Sequence, residues 1–460
     1  MSVTHENYYV ALLGEMDIEG KGQDPEYFSL KDANGSISTT QRKYWVIDNI
    51  LTYSKRFGDH YVSSTMVYTR DSDLSSTSSM KGENFVTAGT TMLGWHGLSN
   101  ADTKDFSSPT YSPHTNVGYL ARAMWSYKDT YHLNASYRHD GSSVFGANFK
   151  WGDFPAFGAA WTISNEEFMK KLSWIDMLKL KVSWGKNGAQ TVEPYGTLST
   201  VALAKDGGIP FYSNEEIHWG QKISALGNPD LGWQTTTSWN GGFEGDFLKG
   251  RIHVDVNAYY SKTTDQIFNR TIPVMNAGIT SQKATMGRVD NKGIEINATT
   301  QNIKKKDFSW TSDYVFTLNR NKIVDLYGNG QDDIANGLFL GYPISVIYTY
   351  EVAGIDKDGS IAKPGEAIFY DANGGLTDNP GPSDKRIIGN ADESFRLSWA
   401  NTFKYKNFQL YMLFLGVFSG NGYGLRDNTF AYRTFSTTEG NALNIPFYYA
   451  DRTDTDCPHA

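Results

Sequence analysis

Residues 251–261 read Arg-Ile-His-Val-Asp-Val-Asn-Ala-Tyr-Tyr-Ser, and this stretch decides the fold. Ile252, Val254, Val256, Ala258 and Tyr260 take alternate positions, with Arg251, His253, Asp255, Asn257 and Ser261 on the opposite side. Successive side chains of extended backbone point to opposite faces, so this is a strand with one apolar and one polar side. The pattern recurs. Tyr131, Leu133, Ala135 and Tyr137 oppose His132, Asn134, Ser136, Arg138 and Asp140, and Leu178, Leu180, Val182 and Trp184 oppose Lys179, Lys181 and Ser183. Phe308, Trp310, Tyr314, Phe316 and Leu318 interleave with Ser309, Thr311, Asp313, Thr317 and Asn319. Leu397, Trp399, Phe403 and Tyr405 alternate with Arg396, Ser398, Thr402 and Lys404. The periodicity predicts about a dozen strands, near residues 45–55, 60–70, 117–127, 130–140, 150–164, 176–187, 233–246, 251–265, 286–301, 308–322, 394–406 and 407–418. Runs of about 9–11 residues are what a tilted strand needs to cross a bilayer.

The connections alternate in size. Short turns are expected at Phe57 to Asp59, Lys128-Asp129, Asp246 to Gly250, Lys304 to Asp307 and Lys406-Asn407, and long loops at Asp71 to Asn116, Asn187 to Gly232, Gln266 to Thr285 and Asn321 to Glu393. Short turns on one side and long loops on the other are the habit of outer-membrane barrels. A helical turn with a Ser164/Glu167 capping box is expected between Ser164 and Ile175.

Composition agrees. Aromatic residues make up 14% of the 460-residue chain, which carries 45 Gly against 14 Pro, and aromatic side chains suit a pleated, half-buried surface. A mean hydropathy of −0.46 reads as soluble. That average misleads for a barrel, whose strands show lipid only every second residue. The apolar faces of the five runs carry no Lys or Arg, while the opposite faces carry Arg138, Lys179, Lys181, Arg251, Arg396 and Lys404. A Lys or Arg at the lipid midplane costs about 2–4 kcal/mol, so this segregation has a physical cause. A soluble sandwich also segregates faces. Aromatic clustering at run ends (Tyr44 and Trp45, Trp125 and Tyr127, Trp151 with Phe154, Trp174, Trp184, Trp233, Tyr259 and Tyr260, Trp310) favours the barrel, where such residues form girdles. The first ten residues carry no secretory signal pattern, and the chain is expected to have lost its beginning. Cys457 is the single cysteine, so no intrachain disulfide forms. A net charge of −8 without a basic stripe argues against nucleic acid, and the run Lys304 to Lys306 reads as a solvated hairpin end.

Four ordered blocks resemble the SusC/RagA family of TonB-dependent outer-membrane transporters. They are Tyr137-Arg-His-Asp-Gly-Ser-Ser-Val-Phe-Gly146 with Trp151 to Gly158 and Ala160 to Phe168; Leu178 to Gly188; Gly227-Asn-Pro-Asp-Leu-Gly-Trp-Gln-Thr-Thr236 with Asp255 to Asp265 and Gly287 to Glu295; and Gly341-Tyr-Pro-Ile, Ala353 to Asp356, Ile388 to Asp392 and Trp399 to Phe403. The resemblance implies an all-β fold, an antiparallel transmembrane β-barrel of which this chain is a fragment: about a dozen of 22 strands, without plug or TonB box. The domain organisation expected is 1–43 as a loop or strand remnant of the preceding barrel segment, 44–418 as the barrel segment, and 419–460 as an extracellular loop at a truncated end. The resemblance further implies location in the outer membrane and import of oligosaccharides or oligopeptides, with a SusD-like surface lipoprotein and the TonB complex as partners. A siderophore or cobalamin receptor of the wider class is the alternative within transport. A soluble β-rich glycan-binding or adhesin domain is the alternative outside it.

Neither a Gly-x-Ser-x-Gly elbow, a His-Glu-x-x-His helix, a phosphate-binding Gly loop nor a Cys pair occurs, so an enzyme is not expected, and neither is a cofactor. Sugar rings stack on aromatic faces, which makes the loop residues Trp95 with His96, and Tyr212 with Trp219, the candidate substrate contacts; loop-on-loop packing is their ordinary alternative use. Arg138, Asp255 and Glu295 point to either a polar passage or a structural ion network on the wall. Asp32-Ala-Asn-Gly35, Asp356-Lys-Asp-Gly359 and Asp371-Ala-Asn-Gly-Gly375 look like incomplete calcium loops, and turn chemistry explains their composition without a metal.

Overall fold

The computed structural model describes residues 2–12, 34–85, 98–202, 210–213, 216–272, 279, 281–285 and 287–419. Thirteen strands form one antiparallel sheet in which each pairs with its neighbours in sequence. They are β1 (Ser2–Leu12), β2 (Asn34–Phe57), β3 (His60–Phe85), β4 (Ala101–Tyr127), β5 (Tyr131–Ser142), β6 (Trp151–Thr162) and β7 (Ile175–Ala189). The series continues with β8 (Gln234–Phe247), β9 (Ile252–Thr264), β10 (Arg288–Lys304), β11 (Phe308–Asp325), β12 (Glu393–Tyr405) and β13 (Phe408–Ser419). All twelve expected strands are present.

Three expectations are corrected. Residues 71–116 are not one long loop: β3 runs on to Phe85 and β4 begins at Ala101, paired from His60↔Tyr127 up to Phe85↔Ala101. β2 likewise begins at Asn34, earlier than the strand start expected near residue 45, and pairs with β1. Backbone pairing needs no apolar alternation, so the ladder continues above the bilayer through Ser- and Thr-rich sequence. The Ser164/Glu167 capping box is also absent. The connection from Ile163 to Ile175 is a chain of tight turns beginning with a 3-10 turn at Ile163–Asn165, whose N-cap Thr162 makes no side-chain cap bond. Glu166 takes the anchoring role instead, accepting from Tyr131 Oη (2.6 Å) and Trp161 Nε1 (3.1 Å).

Short turns close one rim of the sheet. Lys128 and Asp129 (φ 50°), Leu248 and Lys249 (φ 57° and 62°) and Lys406 (φ 51°) adopt left-handed backbone there. Such turns match the right-handed twist of the strands they join, which offsets a cost of about 1–2 kcal/mol per non-glycine residue.

The register shows what the faces are for. Leu133 on β5 meets Trp125 and Ala159, Leu180 meets Trp161 and Phe243, Val256 meets Phe243 and Ile296, and Phe316 meets Ile296 and Leu397. One continuous side of the sheet is therefore apolar, and Leu133, Phe157, Leu180, Val182, Leu397 and Phe414 on it are exposed. Among the described residues only small buried clusters occur, at the loop-side ends of strands and in the connections above them. The apolar surface faces outward rather than into a second layer.

Aromatic rings bound that surface. Near the turn rim His60, Trp125, Tyr127, Tyr131 and Trp161 stack in sequence, with ring centroids 5.9, 6.4, 6.5 and 6.4 Å apart. On the loop side Tyr68, Tyr119 and Trp151 form a second row, continued by Trp239 on Tyr260 at 5.9 Å. Tyr127 and Tyr119 lie eight positions apart on β4. At about 3.3 Å per residue and a tilt of about 40°, the rows stand about 20 Å apart across the membrane, close to the apolar band of outer-membrane barrels.

Candidate functional site

The opposite, inner face carries hydrogen-bonded polar and charged side chains on β5 and on β7 to β11. Arg138 Nε donates to Asp140 (2.6 Å), and Lys181 Nζ reaches both oxygens of Asp255 (2.8 and 3.0 Å). Asn257 Nδ2 donates to the same carboxylate at 2.8 Å, Thr299 Oγ1 to Asp313 at 2.7 Å, and Tyr259 Oη to Asn319 at 2.9 Å. Of the three wall residues expected from sequence, Arg138 and Asp255 thus belong to a bonded network, and Glu295 is exposed. A Cβ on Gly118 would lie 2.4 Å from Asp140 Oδ1, so glycine there is what lets the Arg138–Asp140 pair lie flat on the wall.

Above the bilayer the inner faces of β2, β3 and β4 hold a cleft of about 520 Å³ lined by Thr40, Arg42, Asp73, Ser75, Ser112 and His114, with Pro194 from the β7–β8 connection. Register creates it: Arg42 pairs with Ser75, and Asp73 with His114, so donors from three strands share one side. Arg42 Nε donates to Asp73 Oδ1 and Oδ2 at 3.0 and 3.1 Å, and its Nη2 also meets Oδ2. That hydrogen-bonded guanidinium, aided by its charge and that of His114, holds the Asp73 carboxyl below the usual range against the opposing effect of burial. The cleft offers a partly exposed cation, hydroxyl groups and an imidazole, a set suited to binding polar, hydroxyl-rich ligands. Sequence reading missed it because two of its strands were read as loop at these positions.

The long connections pack into a roof. Val144, Phe145, Val192 and Leu231 form a buried cluster, with Trp233 and Ile267 against it. Trp233 sits between Phe145 (4.8 Å) and Phe154 (5.4 Å) and donates from Nε1 to the Lys150 carbonyl at 3.1 Å. Gly146 N donates to the Leu231 carbonyl at 3.2 Å, and a Cβ at Gly146 would lie 1.7 Å from the Pro229 carbonyl oxygen. Gln282 Nε2 and Asn228 Nδ2 tie the same roof to the β9–β10 connection through the Gly227 and Lys283 carbonyls (2.7 and 2.9 Å). The Asp-Gly-Ser-Ser-Val-Phe-Gly and Gly-Asn-Pro-Asp-Leu-Gly-Trp motifs therefore lock loops together. A second cluster of Val289, Ile323 and Leu326 anchors the β11–β12 connection. There Tyr327 donates to Asp333 at 2.6 Å, and burial, reinforced by that carboxylate, pushes its hydroxyl up to about 12.

The expected substrate contacts fall as follows. Tyr212 and Trp219 lie on one hairpin, Pro210–Ser213 paired with Glu216–Trp219, in which Tyr212 faces Ile217 and Trp219 faces Pro210. Tyr212 and Ile217 are 70% and 64% exposed, so the hairpin presents an uncovered aromatic–aliphatic face. Trp95 and His96 lie outside the described residues, as do Asp32 and Ala33. The Asp356 carboxylate accepts backbone N–H groups from Asp358, Gly359, Ile361 and Ala362 (2.6–3.1 Å), which holds it far below the usual range. Asp371 Oδ1 likewise accepts from Asn373 and Gly375. These oxygens are turned onto backbone donors, and the turn explanation accounts for both segments.

Comparison with known proteins completes the picture. Residues 20–449 match the family described as TonB dependent receptor-like, beta-barrel. The chain is 30% identical over 427 residues to TonB-dependent receptor P26 of Formosa agariphila, covering 88% of this chain and 42% of that protein. It is 29% identical over 334 residues to TonB-dependent receptor SusC of Bacteroides thetaiotaomicron, covering 68% and 32%. Among solved structures, the RagAB peptide transporter superposes with a TM-score of 0.71 at 22% identity, over 93% of this chain and 47% of that one. The chain thus spans less than half the length of the curated relatives it matches, and these relatives are receptors and transporters rather than enzymes. An apolar outer belt between aromatic rows, a polar inner wall and a family match across most of its length agree: this chain belongs to the TonB-dependent receptor β-barrels of the outer membrane.

Proposed function

We propose that the full-length protein imports oligosaccharides or oligopeptides across the outer membrane, energised through TonB and working with a SusD-like surface lipoprotein. The observation that carries this reading is the arrangement of a charged, hydrogen-bonded inner wall beneath a roof of packed loops, with a polar cleft above bilayer level on the same side. A passage of this kind suits hydrated, multiply hydroxylated or amide-bearing solutes. The names SusC and RagAB peptide importer attach to similar proteins and support the same class. Tyr212 and Trp219, with Trp95 and His96, are the proposed stacking contacts, and the exposed face of the Tyr212 hairpin is the best supported of them.

A strain lacking the gene is grown on purified glycans, on oligopeptides and on iron chelates as limiting nutrients, with complementation by wild type and by Tyr212→Ala. A growth defect confined to a glycan or peptide class, restored by wild type and only weakly by the variant, is expected. Normal growth on every polymer together with failure on iron chelates would instead establish the siderophore reading.

A further inference from the structure

The outer face of four strands carries cations at one level only. Trp184, Trp239, Tyr260, Lys292 and Arg320 are successive cross-strand partners, forming one row across β7 to β11. One step toward the loops, Lys186, Thr237, Lys262, Asp290 and Lys322 form the next row, about 7 Å higher. Arg288 stands above Asp290 on β10. Below the aromatic row, the outer positions of β7, β9, β10 and β11 hold no Lys or Arg.

Counter-charge is scarce. Asp290 is occupied by Arg288 (2.7 and 2.8 Å) and by Tyr260 Oη (2.5 Å), and Asp325, opposite Arg288, accepts from Gly328 N at 3.1 Å in its own turn. Among the described residues Arg320 bonds main-chain carbonyls alone, those of Asn319 and Glu393. Lys262 lies over the rings of Trp239 (5.5 Å) and Tyr260 (5.7 Å), which fixes its height at the girdle. Among the described residues Lys186, Lys292 and Lys322 form no ion pair.

We infer that this surface holds phosphate-bearing lipid headgroups of the outer leaflet. The cations face away from the lumen, so a transported solute does not meet them. Girdle aromatics sit at headgroup depth, where lipid phosphates lie, and Lys and Arg are the side chains that complement phosphate. Six cations face three carboxylates, Asp290 held by Arg288, Asp325 engaged in its own turn and Asp153 under the influence of Lys186, which leaves a net positive strip that a membrane of neutral headgroups would not complement.

The test uses purified full-length protein in neutral detergent micelles, titrated with phosphatidic acid and followed by native mass spectrometry. The combined variant K186Q/K262Q/K292Q/R320Q/K322Q should bind more weakly, by about fivefold per cation removed, and its binding should lose its salt dependence. K304Q/K305Q/K306Q, at the opposite rim, should bind as wild type does. Equal losses in both variants would mean nonspecific attraction and overturn the inference. So would competition by inorganic phosphate as effective as the lipid, since that would mark a soluble-anion site. Retention of heat-modifiable migration by both variants confirms that the barrel has folded.

Discussion

Leu180 and Ser183 lie three residues apart on β7 and point to opposite faces, which makes them a direct test of which side meets lipid. Leu180 is a cross-strand neighbour of Trp161 and Phe243 on the apolar side, between the two aromatic rows. Ser183 meets Gly158 and Asn240 on the polar side. An arginine at the lipid midplane costs about 2–4 kcal/mol, whereas one on a wet inner wall falls within about 0.5 kcal/mol of neutral. Leu180→Arg should therefore lower the folding equilibrium by about 30-fold to 1,000-fold, and Ser183→Arg by less than about threefold, at 1.36 kcal/mol per tenfold. The assay is reversible urea unfolding of the full-length protein in lipid vesicles, with protease protection reporting insertion. Comparable losses for the two variants would refute the assignment of faces, and a larger loss for Ser183→Arg would invert it.

Three further outcomes follow from the loops. Gly146→Ala puts a methyl group into the Pro229 carbonyl, so hydrogen exchange across residues 141–150 and 227–233 should rise while barrel heat-modifiability is unchanged; unchanged exchange would mean the roof is not locked there. The Asp73 carboxyl is lowered in the folded state, so its contribution is fully present above its unfolded value near pH 4 and fades as the pH falls through the folded one; exchange in the upper parts of β2 and β3 should increase below about pH 4 in wild type and lose that pH dependence in Asp73→Asn. Asp356→Ala removes the acceptor for four backbone N–H groups, so residues 356–362 should become protease-sensitive, and calcium should shift the thermal transition of neither protein; a calcium-dependent rise in wild type would overturn the turn reading.

Legibility of this chain follows the solvent. Between the aromatic rows, lipid on one side and water on the other force alternation, and there every strand could be read from residues such as Val254, Val256 and Ala258. Above the girdle both faces of β2, β3 and β4 meet water or polar loop, so nothing in Ser75 to Ser79 signals extended structure although the ladder there is continuous. The cleft was hidden for the same reason: Arg42, Asp73 and His114 are distant in sequence, and only the unread register brings them together. The family-like motifs were visible, yet their work was not. Gly146 and Leu231 look like generic turn and core residues until the Pro229 carbonyl and the Phe145–Trp233 contact show that they join separate connections into one roof. A barrel of this design divides its sequence constraints by height. The bilayer dictates pattern within the band, and close contact dictates individual residues above it, so the part proposed to meet the solute is the part that periodicity cannot reveal.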